Sequence, residues 1–162
     1  QFDKTLRGGR GDRSGWISAN PKVLIIEGWF LGCKPMDPSQ KKDLSIEKLN
    51  PMLSIHEIKY REKVQQLLEE YTSIWELFER VWHIKPNRFS NTEKWKTGQE
   101  NQMYERSGSS LRGKALSSFI RMIQAAIPQE SLMNIECDAL VKISQSRQVL
   151  WSGRKEDEHL ED

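Results

Sequence analysis

Between Pro21 and Gly28 the apolar positions are consecutive: Val23, Leu24, Ile25 and Ile26. A short unbroken β-branched run bounded by turn residues predicts a strand buried on both faces, as in a parallel sheet. From Ile55 the period lengthens. Ile55, Ile58, Val64, Leu67, Leu68, Tyr71, Ile74, Trp75 and Phe78 recur at helical spacings with Glu and Lys in the opposite phase. That pattern predicts an amphipathic helix from Ile55 to about Phe78, laid on a sheet. Val81-Trp82-His83-Ile84 before Pro86 predicts a second strand. Leu111, Ala115, Leu116, Phe119, Ile120, Met122, Ile123 and Ala126 predict a second amphipathic helix, ended by Pro128. Ala139–Ile143 and Gln148–Trp151 read as short strands around a turn. Asn91 to Arg106 is helix-compatible with Ser90 or Asn91 as cap, but it has no apolar face and is expected to be exposed or mobile. The alternation of strand and helix predicts an α/β fold, a parallel sheet flanked by helices.

The segments between these elements are polar. Gln1 to Pro21 is rich in Gly and Arg and reads as loop, Lys34 to Pro51 carries three prolines, and an acidic tail follows Gly153. At 162 residues the chain is long enough for one domain with its own core. A net charge of +2 from 25 basic and 23 acidic residues implies no general attraction to nucleic acid. No apolar run reaches the length of a membrane span and no signal peptide opens the chain, so the expected compartment is the cytoplasm. Cys33 and Cys137 make no metal pattern and are expected as partly buried thiols. His83, in an apolar context, is expected to be a core or edge residue rather than a base, with Trp75 and Trp82 in the core; His56 and His159 are expected to be exposed.

Candidate chemistry lies in the first thirty residues. Asp3, Lys4, Arg7, Arg10, Asp12 and Arg13 are packed among four glycines. Arginines clamp phosphate or carboxylate oxygens, glycines let main-chain N–H groups reach them, and an acid among them can orient a substrate hydroxyl. Arg7-Gly8-Gly9 matches an RNA-binding tripeptide and Arg10-Gly11-Asp12 an integrin-binding one, but each stands alone without its usual context. Glu27 ends the Val23–Ile26 run, where open α/β sheets place ligand chemistry, and Gly28 allows close backbone approach.

Taken together, Phe2-Asp3-Lys4 with Gly8-Gly9-Arg10-Gly11-Asp12-Arg13, followed by Glu27-Gly28-Trp29-Phe30-Leu31-Gly32, resembles the D-glycerate 3-kinase family, which is related to uridine and pantothenate kinases. Tyr71, Trp75 and Phe78 resemble that family's helix leading into its next strand. Trp95-Lys96 with Glu100 and Met103 resembles its lid helix, and Phe119 a matching aromatic. The resemblance runs from Phe2 to about Trp151 and is specific only in the first two strings. It implies ATP and Mg²⁺ as cofactors, D-glycerate as the small-molecule substrate, and phosphoryl transfer to the 3-hydroxyl. It implies catalytic roles for Asp3 and Glu27, the latter meeting the metal through water. Lys4, Arg10, Asp12, Arg13 and Gly28 would bind substrate and phosphate, with Lys96 and Arg106 on the lid. Lys96 stands where the family usually carries an arginine, and Tyr104 where another basic residue is common.

Such kinases also carry G-x-x-x-x-G-K-[ST], and this sequence has no such string. Gly108-Ser-Ser-Leu-Arg-Gly113-Lys114-Ala115 has the glycine and lysine spacing but ends in Ala115, without the metal-binding hydroxyl, and follows a polar helical stretch. The expected domain is therefore the carboxy-terminal part of a kinase over residues 1–153, lacking the amino-terminal phosphate-loop half. It has a substrate loop at 1–21, a lid-like region at 91–110 and an acidic tail at 154–162. Two consequences follow as expectations: no kinase activity in the isolated chain, and pairing with a missing amino-terminal half or self-association. The alternatives are a non-catalytic remnant or interaction module, and a kinase of the same superfamily acting on a nucleoside or pantothenate.

Overall fold

The computed structural model describes residues 2–3, 5–36 and 49–158. Lys4, His159 and residues 37–48, within the proline-containing connection, lie outside the described residues. A small hairpin comes first: strands β1 (Phe2–Asp3) and β2 (Asp12–Arg13) pair antiparallel around a single helical turn, α1 (Leu6–Gly9). Helices α2 (Ile55–Trp75), α3 (Asn91–Ser107), α4 (Gly113–Ala126) and α5 (Gln129–Met133) follow, with β3 (Trp82–Pro86) between α2 and α3. Strands β4 (Ala139–Ile143) and β5 (Val149–Arg154) and a 3₁₀ turn at Lys155–Asp157 close the described chain. The three longer strands form one sheet in the order β3-β4-β5, parallel between β3 and β4 and antiparallel between β4 and β5. The architecture is the expected α/β one, a partly parallel sheet flanked by helices.

Helix α2 starts where Ser54 and Glu57 form a capping box. The Ser54 hydroxyl accepts the Glu57 N–H at 3.3 Å, and the Glu57 carboxylate accepts the Ser54 N–H at 2.7 Å. Its buried face meets α4. There the Arg61 guanidinium, itself buried, donates to the carbonyls of Ala125 at 2.9 Å and Gln124 at 2.8 Å, groups that the end of α4 leaves without helical partners. Ala125 and Ala126 are fully enclosed, and their small side chains let this charged arm reach the backbone. Leu68, Ala126, Ile127, Cys33 and Ile135 form the core, with Phe30, Val64, Val81 and Leu132 against it. Cys33 is buried and Cys137 partly so, both as free thiols.

Four expectations fail here. Val23–Ile26 is not a strand, and its side chains are exposed, Ile25 to 87%. A strand exists only by pairing, and no described strand pairs with this segment, so its backbone stays hydrated and its apolar side chains have nothing to pack on. Trp82 is 73% exposed, not core, because β3 is an edge strand and the sheet face bearing Trp82 and Ile84 is uncovered. Helix α3 is docked despite its polar sequence. The Trp95 indole donates to the Gln145 carbonyl at 2.7 Å, Lys94 reaches the Gln145 side chain at 2.9 Å, and the Arg147 guanidinium lies 5.4 Å from the Trp95 ring. The expected fraying after Gly153 also gives way up to Glu158, whose carboxylate pairs with Lys142 and Lys155.

Candidate functional site

In the Glu27-Gly28-Trp29-Phe30-Leu31-Gly32 string, the residues from Trp29 onward form a tight turn, and no strand end precedes them. The turn's closing bond runs from the Cys33 N–H to the Phe30 carbonyl at 3.1 Å. Gly32 has φ +79, and a Cβ there would stand 2.9 Å from the Ile135 side chain, so both conformation and packing demand glycine. Phe30 and Cys33 enter the core, and the Cys33 carbonyl accepts the Trp75 indole N–H at 2.9 Å. Anchored in this way, the turn presents Trp29 to helix α3.

There the structure makes a buried charge cluster. The Lys96 ammonium lies 5.8 Å from the Trp29 ring centre and 5.0 Å from that of Phe119 on α4, while pairing with Glu100 one turn along α3. Lys96 and Glu100 side chains are only 13% and 4% exposed. The second Glu100 oxygen accepts the Leu111 N–H at 2.8 Å, which ties α3 to the segment leading into α4. Trp29, Lys96, Phe89, Thr92, Glu93 and Ile120 line a cleft open to solvent beside this cluster. The site is thus a cation held between two aromatic faces by a carboxylate, two residues in sequence from Glu27.

Arg106 sits in the last turn of α3 and is exposed. At the same end, the Arg112 guanidinium stacks 4.0 Å from the Tyr104 ring, so a basic group stands beside the position where the resemblance lacks one. Gly108 and Gly113 of the near-match string are backbone devices: Gly108 ends α3 with φ +68, and Gly113 opens α4 with φ +51. Helix α3, not a strand, leads directly into them, in keeping with rejection of this string as a phosphate loop.

The glycine- and arginine-rich segment is a separate construction. Asp3 and Asp12 are register partners in the hairpin, and Arg7, at φ 53, pairs with Asp12 at 2.8 Å. Asp3 accepts from the Thr5 hydroxyl at 2.7 Å and the Thr5 N–H at 2.8 Å, and these bonds lower its pKa. Gly11 has φ +80, and a Cβ there would meet the Phe2 ring at 2.4 Å. Arg10 is exposed, and the Arg13 guanidinium lies 5.6 Å from the Trp16 ring. The side-chain bonds of Asp3 and Asp12 stay within the hairpin. Glu27 and Gly28 lie in exposed chain without regular structure. The structure thus gathers Asp3, Asp12 and Arg7 in one place and Trp29, Lys96 and Glu100 in another, while Lys4 lies outside the described residues. Among the described residues no group of three His, Cys, Asp or Glu side chains is placed to hold a metal.

Glu100 does more than its place in the lid pattern implies: the Lys-x-x-x-Glu spacing puts both residues on one helix face, but nothing local shows that face to be buried.

The fold is that of a kinase-like α/β protein. It superposes on D-glycerate 3-kinase from Cryptococcus neoformans var. grubii with a TM-score of 0.69 at 20% identity, covering 94% of this chain and 57% of that one. It superposes on the YGR205w protein with a TM-score of 0.58 at 20% identity, covering 94% and 56%. In sequence it is 25% identical over 133 residues to an uncharacterized kinase, mug58, of Schizosaccharomyces pombe, covering 74% of this chain and 44% of that protein. No family model matches the sequence. The resemblance to D-glycerate 3-kinase read from GGRGDR and EGWFLG is therefore met by a likeness of fold along nearly the whole chain, and the chain spans about half the length of these relatives. No described helix is long and apolar enough to cross a membrane.

Proposed function

We propose that this chain serves in ATP-dependent phosphorylation of D-glycerate to 3-phosphoglycerate, as the acceptor- and lid-bearing part of a glycerate-kinase-like enzyme of the cytoplasm. The observation that carries this reading is the Trp29–Lys96–Glu100–Phe119 cluster, which couples the EGW turn to the lid-like helix. In phosphoryl transfer, positioning and charge stabilisation provide most of the catalysis. Arg10 and Arg13 suit the carboxylate and phosphate oxygens, and Asp3 and Asp12 suit hydroxyl groups of the acceptor. Gly28 leaves room for a ligand against the backbone, and Lys4 and Arg106 are the further cations this reading assigns to the site. Mg²⁺ keeps most of its waters and needs one or two carboxylates beside the phosphates, so the exposed Glu27 fits a water-mediated contact. When bound, Mg²⁺ neutralises charge on the transferring phosphoryl group. Lys96, with its charge engaged by Glu100, serves best as a hinge point of the lid that is freed for phosphate when the lid rearranges.

Because these 162 residues contain no G-x-x-x-x-G-K-[ST], turnover requires polypeptide that holds the β- and γ-phosphates. A coupled ADP-release assay with ATP, Mg²⁺ and D-glycerate tests both clauses. The expected result is no turnover by the 162-residue chain alone, and turnover with D-glycerate but not uridine or pantothenate when it is fused to the amino-terminal part of a related glycerate kinase. Turnover by the isolated chain, or a nucleoside preference in the fusion, would overturn the proposal.

One observation favours a second reading, an interaction module that works against further polypeptide. Among the described residues, Val23–Ile26, Trp82 and Ile84 are exposed and the outer edge of β3 is unpaired. This reading expects self-association or capture of a partner, and a clean monomer by light scattering would count against it.

A further inference from the structure

One face of the β3-β4-β5 sheet carries a charge arrangement that folding alone does not favour. Lys85 of β3 and Lys142 of β4 are register partners, and like charges directly opposite each other destabilise a strand pair. Lys155 approaches the same face from the 3₁₀ turn. A single carboxylate serves two of the three: Glu158, 10% exposed, pairs with Lys142 at 3.3 Å and with Lys155. Lys85 makes no hydrogen bond or ion pair with any described residue. The remaining groups around the cluster do not neutralise it. His83, buried beneath, is held neutral, Cys137 is a thiol with a raised pKa, and Asp138 is engaged by Arg80 and the Val81 N–H. Burial and the repulsion of Lys155 and Lys142 lower the Lys85 pKa. Trp151 closes one side, its ring 5.6 Å from the Lys142 ammonium. Lys85 and Lys142 each stand one residue before the carboxyl end of a parallel strand, the end at which open α/β sheets receive ligands.

We propose that Lys85, Lys142 and Lys155 form a binding site for a small phosphate-bearing anion, with Glu158 as its built-in competitor. The site shares no residue with the Trp29–Lys96 cluster or the hairpin, and it does not depend on the kinase reading. The ligand's oxygens would take the place of the Glu158 carboxylate between Lys142 and Lys155 while also meeting Lys85, relieving the cross-strand repulsion. Uncompensated local conflicts of this kind are expected where a site binds something.

The test is calorimetric titration of the full chain with inorganic pyrophosphate at low salt, with ADP as a second arm. Saturable binding by the wild type is expected. Lys85→Met should weaken it about tenfold while raising the melting temperature, because the like-charge pair disappears. Glu158→Gln should tighten it about fivefold as the competitor loses its charge. This opposition between affinity and stability at Lys85 is not what a merely structural lysine would show. Tighter binding of ADP than of pyrophosphate would assign a nucleotide as the source of the phosphate, and equal affinity would assign free oligophosphate. Absence of saturable binding, or affinity unchanged in either variant, would overturn the proposal.

Discussion

Removing either member of the Lys96–Glu100 pair should cost far more than a helix-surface ion pair does. Exposed pairs one turn apart contribute about 0.3–0.5 kcal/mol, whereas breaking a buried pair by deleting one partner costs roughly 3–5 kcal/mol. Here the side chains are 13% and 4% exposed, which places the pair near the buried limit. Lys96→Met would leave the Glu100 carboxylate with the Leu111 N–H as its remaining partner, and a loss of about 3 kcal/mol is expected. Glu100→Gln retains hydrogen-bonding capacity toward Leu111 but leaves the Lys96 ammonium with only the rings of Trp29 and Phe119, worth about 1–2 kcal/mol together, so a loss of about 2 kcal/mol is expected. The double variant Lys96→Met/Glu100→Gln no longer buries a charge and should be more stable than the sum of the single losses predicts by about 2 kcal/mol. Urea denaturation of the four proteins at one pH, with m-values compared, gives the coupling energy directly. A coupling below about 0.5 kcal/mol would refute the reasoning, because it would mean the pair behaves as an exposed one.

Stability should fall with acid in two separable windows. Burial, with Lys85 and Lys155 nearby, depresses the His83 pKa from 6.5 to about 4, so the unfolded state binds the extra proton and stability drops as pH falls through that interval; His83→Phe should remove this slope in pH-dependent urea melts. The Arg121 guanidinium at 2.6 Å and the Ser54 N–H hold the Glu57 pKa near 2 instead of 4.5, so its contribution is present above pH 4.5 and lost toward 2; Glu57→Gln should flatten that lower window alone. Gly11→Ala should abolish the β1–β2 pairing, seen as lost amide protection at Asp3 and Asp12, with the melting temperature of the remainder unchanged within a few degrees. Val23→Thr with Ile25→Thr should reduce self-association by light scattering without lowering the melting temperature, since neither side chain is packed.

Much of the fold was legible because helices are local. The three-and-four spacing of apolar residues locates α2 and α4 to within a few residues. Strands β3, β4 and β5 were visible as short apolar runs between turn residues. The glycines of GGRGDR and EGWFLG were legible as well, and their structural reasons emerged as the Phe2 ring facing Gly11 and the Ile135 side chain facing Gly32. Local pattern misled where the outcome depended on a neighbour. Helix α3 looked too polar to dock, yet its polar groups are satisfied by the turn between β4 and β5.

The sequence by itself determined the helices α2 to α4, the strands β3 to β5, the likeness to glycerate kinases and the absence of a G-x-x-x-x-G-K-[ST] string within these residues. Only the tertiary structure decided that Val23–Ile26 stays unpaired, that Lys96 and Glu100 are buried between Trp29 and Phe119, and that Lys85 faces Lys142. The physical reason is common to all three. A helix closes its hydrogen bonds within four residues, whereas strand pairing, burial of an ion pair and cross-strand register depend on partners far along the chain, which local spacing does not encode.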